Sequence, residues 1–187
     1  MSARWHFALV GVLALGAGTA LWRAARPASE PAAITGVAPS ALLAASFIDL
    51  QGRSRSLGEF QGKLVVLNFW ATWCAPCREE MPAFSRLQTR WAQRGVQFVG
   101  VSAEEPEKVA RFAKSVPVDY PLWTGGDAVS NLSRRLGNRL GLLPHTVVLS
   151  GDGRVLDMKV GPYTESDLEL RLDTFSPKSS QNASNSR

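Results

Sequence analysis

The chain has 187 residues, 45% of them hydrophobic and 20% charged, which is room for one domain with tails and a core of ordinary size. Its formal charge of +5 divides unevenly: Ser40 to Phe175 holds 16 basic and 15 acidic residues, a net of +1, and the flanks hold the remaining +4. A nearly neutral body gives no support to nucleic-acid binding.

Trp5–Trp22 is an uncharged, mostly apolar run with Arg4 before it and Arg23 and Arg26 after it. Its length is marginal for a membrane span of about 20 residues. No A-x-A cleavage site follows it closely, so residues 1–23 read as an uncleaved anchor in preference to a signal peptide. Residues 24–45 are rich in alanine and proline and read as an extended tether. Phe47–Leu50 followed by Gln51-Gly52 predicts a short hairpin ahead of the main fold.

Leu64-Val65-Val66-Leu67-Asn68-Phe69-Trp70 is a short apolar, β-branched run, the pattern of a strand buried on both faces. The period then changes. Cys77, Met81, Phe84, Leu87 and Trp91 recur at steps of three and four, predicting an amphipathic helix that Gly95 ends. Val96–Ser102 is a second buried strand, Pro106–Ser115 a helix, Tyr120–Thr124 a short strand, and Asp127 the N-cap of a helix ending near Gly137. Thr146–Ser150 and Arg154–Val160 flank Gly151-Asp152-Gly153 as a hairpin. Thr164 with Asp167 opens a last helix to about Phe175. The polar residues 176–187 have the composition of a disordered tail.

Between the first strand and its helix stand Trp73-Cys74-Ala75-Pro76-Cys77. A helix N-terminus has unpaired N–H groups and a partial positive charge, both of which favour an anion. Cys74 should therefore form a thiolate more readily than a free cysteine of pKa ~8.5, with Cys77 shielded one turn deeper. Pro76 falls in the first turn, where its missing N–H costs little, and Pro82 should kink the helix near Arg78. A zinc site is disfavoured because no second Cys/His pair supplies further ligands. An inert staple is disfavoured because so short a loop gains little from closure. Redox exchange is the preferred chemistry.

Phe69-Trp70-Ala71-Thr72-Trp73-Cys74-Ala75-Pro76-Cys77-Arg78-Glu79-Glu80-Met81-Pro82 resembles the active-site segment of thioredoxin-like proteins, and most closely that of the membrane-anchored TlpA/ResA group. The likeness covers Phe47 to Phe175. It implies an α/β thioredoxin-like fold over residues 46–175: a central mixed sheet flanked by helices, with an N-terminal hairpin and a central helix-strand insertion. Where thioredoxin has a buried acid this chain has Asn68, and Glu80 matches the group's glutamate three residues after the second cysteine.

The resemblance implies Cys74 as nucleophile and Cys77 as resolving thiol, with no cofactor and no metal. Glu80 is then the acceptor of the Cys77 proton, opposing the helix dipole through its own charge. Leu143-Pro144 falls at the family's cis-proline loop, which holds substrate through backbone groups; Trp73 forms part of an apolar platform around the sulfur, and Pro76 is expected to bind substrate with Trp73 and Leu143. It further implies a monomer in the periplasm, tethered to the inner membrane by its N-terminal segment. There it reduces disulfides of apocytochrome c or copper-delivery proteins and is recharged by a membrane thiol-transfer protein of the DsbD/CcdA type. Cys-Ala-Pro-Cys resembles reducing motifs more than the oxidising Cys-Pro-His-Cys. Two other classes rank lower. A copper metallochaperone would use Cys74, Cys77 and His145, but its cysteines are normally separated by three residues, not two. A superfamily peroxidase would need a Pro-x-x-x-Thr-x-x-Cys context that the residues before Cys74 lack. His145 otherwise reads as a satisfied loop residue.

Overall fold

The computed structural model describes residues 35–176. The predicted anchor, residues 24–34 of the tether and residues 177–187 of the tail lie outside the described residues. Among those described, no helix is long and apolar enough to cross a membrane.

A seven-stranded mixed sheet is ordered β2-β1-β5-β4-β3-β6-β7. The hairpin of β1 (Ser46–Asp49) and β2 (Ser54–Ser56) joins one side, antiparallel to β5 (Leu122–Thr124). At the centre, β3 (Leu64–Trp70) and β4 (Val96–Ser102) run parallel, as do β4 and β5. Then β6 (His145–Leu149) and β7 (Val155–Val160) complete the sheet in antiparallel pairing. Helices fill the connections: α1 (Pro39–Leu43), α2 (Ala75–Trp91), α3 (Pro106–Ser115), α4 (Asp127–Arg135) and α5 (Glu165–Phe175).

All seven residues of β3 are buried, as its unbroken apolar run requires of a central strand covered on both faces. Alternation along it sorts the core. Leu64, Val66 and Trp70 pack with Met81, Phe84 and Leu87 of α2 and with Leu168 and Leu172 of α5. Val65, Leu67 and Phe69 pack with Val129 and Leu132 of α4 and with Leu42 of α1. Gly100, paired with Asn68, allows a close approach here: a Cβ would meet the Leu122 side chain at 2.7 Å.

Four local expectations are corrected. Residues 35–45 of the expected tether belong to the domain, because Pro39 starts the short α1 and buries Leu42 fully. Asp127 is the first helical residue, with Gly126 at the cap. Ser176, expected in the tail, is buried, and its N–H reaches the Leu172 carbonyl. His145 is the first residue of β6 and wholly buried, not a loop residue. The α2 helix runs on through Pro82, and Gly95 ends the following 3-10 turn at φ 74°.

Candidate active site

The parallel strands β3 and β4 end side by side, Trp70 opposite Ser102, and the chain leaves both at the same edge. The β4–α3 connection supplies Glu104. This carboxylate accepts from the Thr72 N–H at 2.6 Å and the Thr72 hydroxyl at 2.9 Å, and Lys108 pairs with it at 2.5 Å. Burial raises the Glu104 pKa, but the Lys108 and Thr72 bonds outweigh it and hold the carboxyl below its usual range. The turn before the cysteines is thus tied down from the neighbouring strand.

Cys74 then caps α2. Its Sγ accepts the Cys77 N–H at 3.3 Å, so an amide of the first helical turn points at the sulfur. Cys74 and Cys77 form a disulfide across Cα atoms 5.3 Å apart. Cys77 is fully buried, and Cys74 keeps 4% of its surface. Trp73 beside it is 68% exposed, whereas Trp70 lies in the core. Pro76 occupies the first turn of α2 as expected.

One turn beyond Cys77, Glu80 points inward and is buried. Its Oε1 accepts from the Asn68 amide at 3.0 Å and its Oε2 from the Tyr163 N–H at 3.0 Å. The Asn68 amide also donates to the Thr146 hydroxyl at 3.0 Å, across the β3–β6 ladder where the two residues are paired. Burial pushes the Glu80 pKa up from 4.5 to about 7, against the bonds from Tyr163 and Asn68 and the charge of Lys159. Glu80 in turn helps burial to raise the pKa of Tyr120. A carboxyl poised near neutrality can take or release a proton under ordinary conditions.

Leu143–Pro144 is a cis peptide, and the Pro144 carbonyl accepts the Gly161 N–H at 2.8 Å. Leu143 packs against the core, and together with Trp73, Glu104, Arg134 and Asn138 it lines a cleft of about 220 Å³. The structure therefore brings the predicted Trp73 and Leu143 to one cleft, with Cys74 following Trp73 in the chain. His145 points to the opposite face of the sheet from Thr146. Its ring stacks on Phe69 at 5.2 Å, its Nδ1 lies 3.0 Å from the Ser133 hydroxyl, and burial lowers its pKa to about 4. Among the described residues no group of three or more His, Cys, Asp or Glu side chains is placed to hold a metal ion.

Sequence reasoning missed Glu104, Thr146 and Tyr163. Only Asn68 left a signal there, as the one polar residue in an otherwise apolar strand.

The Redoxin family model matches residues 37–172. The thiol-disulfide oxidoreductase ResA of Bacillus cereus is 33% identical over 131 residues, covering 69% of this chain and 73% of that one. The thioredoxin-like protein YneN of Bacillus subtilis is 36% identical over 129 residues, 66% of this chain and 72% of that one. Among solved structures, a thiol:disulfide interchange protein of Chlorobium tepidum superposes with a TM-score of 0.64 at 26% identity, covering 80% of this chain and 99% of that one. A thiol:disulfide interchange protein from Bacteroides matches with a TM-score of 0.65 at 22% identity, over 74% and 90% of the two chains, a likeness of fold. A disulfide on the first turn of a helix, in this sheet and with these relatives, leaves one assignment: the chain belongs to the Redoxin family, as a thioredoxin-fold thiol–disulfide oxidoreductase related to ResA.

Proposed function

We propose that the protein works outside the cytoplasm, held to the membrane by Trp5–Trp22, and reduces disulfides in partner proteins. The partners implied are apocytochrome c or copper-delivery proteins, with a membrane thiol-transfer protein of DsbD/CcdA type returning electrons. The observation that carries the reading is the Cys77 N–H aimed at Cys74 Sγ beside a buried Glu80.

In the dithiol form that N–H and the helix dipole stabilise the Cys74 thiolate. The thiolate attacks one sulfur of the partner's disulfide, forming an intermolecular S–S bond and expelling the partner's other sulfur as a thiolate. Cys77 gives its proton to Glu80 and attacks Cys74 Sγ. The Cys74–Cys77 bond forms, the mixed disulfide breaks, and the partner leaves with both sulfurs reduced. Two electrons have moved from this chain to the partner. Trp73, Pro76 and Leu143 give the partner an apolar seat, and the backbone of the loop that Pro144 shapes, at Leu143, pairs with its extended segment.

Cys77→Ser leaves the attack intact and removes the resolving thiol. The variant should accumulate a covalent adduct with a disulfide-bearing protein, seen by mass and released by dithiothreitol, and Cys74→Ser should give none. An adduct formed equally by Cys74→Ser would refute the assignment of roles. Direction is tested separately: the Cys74–Cys77 potential should lie well below ~−120 mV, the value of a strong oxidant, and a potential near that value overturns the reductase reading.

A further inference from the structure

The Leu143–Pro144 peptide is flanked on both sides by one buried polar chain that the exchange steps do not use. Asn138, 2% exposed, lies in the loop after α4. Its Nδ2 donates to the Leu142 carbonyl at 2.7 Å and its Oδ1 accepts the Leu142 N–H at 3.0 Å. The side-chain amide thus pairs with the residue before Leu143 through both a donor and an acceptor, as a strand neighbour would.

The same Nδ2 also donates to Ser133 Oγ at 3.0 Å. Ser133 Oγ in turn lies 3.0 Å from His145 Nδ1, so the hydroxyl links the amide to the imidazole. Burial keeps that imidazole neutral, so the link carries no charge. Leu142 comes before Leu143–Pro144, and His145 comes directly after. One asparagine therefore reaches both flanks, directly on one side and through Ser133 on the other.

The outer side of this loop is apolar and open, with Leu140 81% and Leu142 53% exposed. A segment that turns leucines to solvent while its backbone is bonded from within is arranged to present itself without rearranging, which lowers the entropy lost when a partner docks.

We propose that Asn138, acting with Ser133, is a positioning residue: by fixing Leu142 and His145 it holds the Leu143 backbone between them in the orientation that an extended partner segment pairs with. The proposal rests on the reading of the Pro144 loop as the substrate seat. It makes Asn138 matter for substrates that need that pairing and not for those that need only the sulfur.

The test compares wild type, Asn138→Ala, Asn138→Asp and Pro144→Ala on an extended peptide disulfide and on a small aryl disulfide. For Asn138→Ala, KM for the peptide should rise by roughly tenfold, with kcat and the aryl-disulfide rate within about twofold. Asn138→Asp keeps the acceptor for the Leu142 N–H and loses both donations, so its peptide KM should fall between the two. An unchanged peptide KM overturns the proposal, and so does an equal loss on both substrates, which marks general distortion. If Asn138→Ala does not fold, Asn138→Asp decides by the same two readings. Pro144→Ala separates the failures. A normal peptide KM there removes the loop reading itself, whereas a raised one beside a normal Asn138→Ala removes only this inference.

Discussion

Two adjacent residues of β6 serve two different kinds of buried polar cluster. Thr146 faces α2 and joins Asn68, Glu80 and the Tyr163 N–H; His145 faces α4 and joins Ser133 and Asn138. Strand alternation puts them on opposite faces although they are neighbours in the chain. The first cluster contains a carboxyl raised to about 7, and the second an imidazole lowered to about 4. Desolvation is the main cause in both, and it acts in opposite directions because it disfavours the charged form of each. One cluster is therefore able to exchange a proton at neutral pH, and the other stays uncharged and holds shape. The proton-handling cluster lies on the face that carries the cysteines.

The largest effect should come from breaking the first cluster's chemistry. Glu80→Gln keeps the shape and removes the proton acceptor. The rate of resolution of the mixed disulfide should fall by about 10²–10⁴-fold, and the inflection near pH 7 in its pH profile should vanish. Stopped-flow release of a fluorescent partner across pH 5.5–8.5 (roughly 1.5 either side of the raised value) measures both. A retained inflection would assign it to another group.

The second effect is on stability, and there the clusters oppose each other. Between pH 4.5 and 7 the folded chain holds a proton on Glu80 that the unfolded chain has released. The stability this contributes is fully present below 4.5 and is lost as pH rises through 7. Between pH 6.5 and 4 the unfolded chain protonates His145 and the folded chain does not, so its contribution is present above 6.5 and lost as pH falls through 4. Each shift corresponds to roughly 3 kcal/mol. Over the shared window, pH 4.5–6.5, the two slopes cancel in the wild type. Denaturant unfolding should show Glu80→Gln gaining stability with rising pH relative to wild type in that window. His145→Asn, which keeps a hydrogen-bonding group for Ser133, should lose it. Parallel curves for all three proteins would mean that neither group titrates as its burial implies.

Sequence and structure agree best where the signal is local. The run Leu64–Trp70 was legible as a doubly buried strand because every residue in it meets core, and the step-of-three-and-four stripe after Cys77 gave α2 for the same reason. The cysteine pair at their junction was legible too. What stayed hidden depends on register. Asn68 and Thr146 meet across a ladder, and Tyr163 reaches Glu80 by its backbone N–H, which carries no side-chain identity at all. Residues 35–45 have a linker's composition, and the docking of Val37 and Leu42 into the core makes them part of the domain. The burial of His145 likewise follows from its pairing with Phe69, not from its neighbours in the chain.

The smallest effect concerns a third polar group, Glu104, which separates holding from reacting most cleanly. It lies outside both clusters, accepts two bonds from Thr72 and fixes the turn that leads into Trp73 and Cys74. Lys108 neutralises it, and its lowered pKa keeps it ionised at neutral pH, so it has no proton to give there. Glu104→Gln keeps an oxygen for the Thr72 N–H and weakens the rest. The alkylation rate of Cys74 in the dithiol form should change by only about twofold to fivefold, in keeping with one weakened charge-assisted bond at a partly exposed site. Its pH midpoint should stay where it is in the wild type, because the group does not titrate in the range where the thiol does. A shifted midpoint would mean that Glu104 acts on the sulfur through its charge, and the division between a proton-handling face and its rigid supports would have to be redrawn to include it.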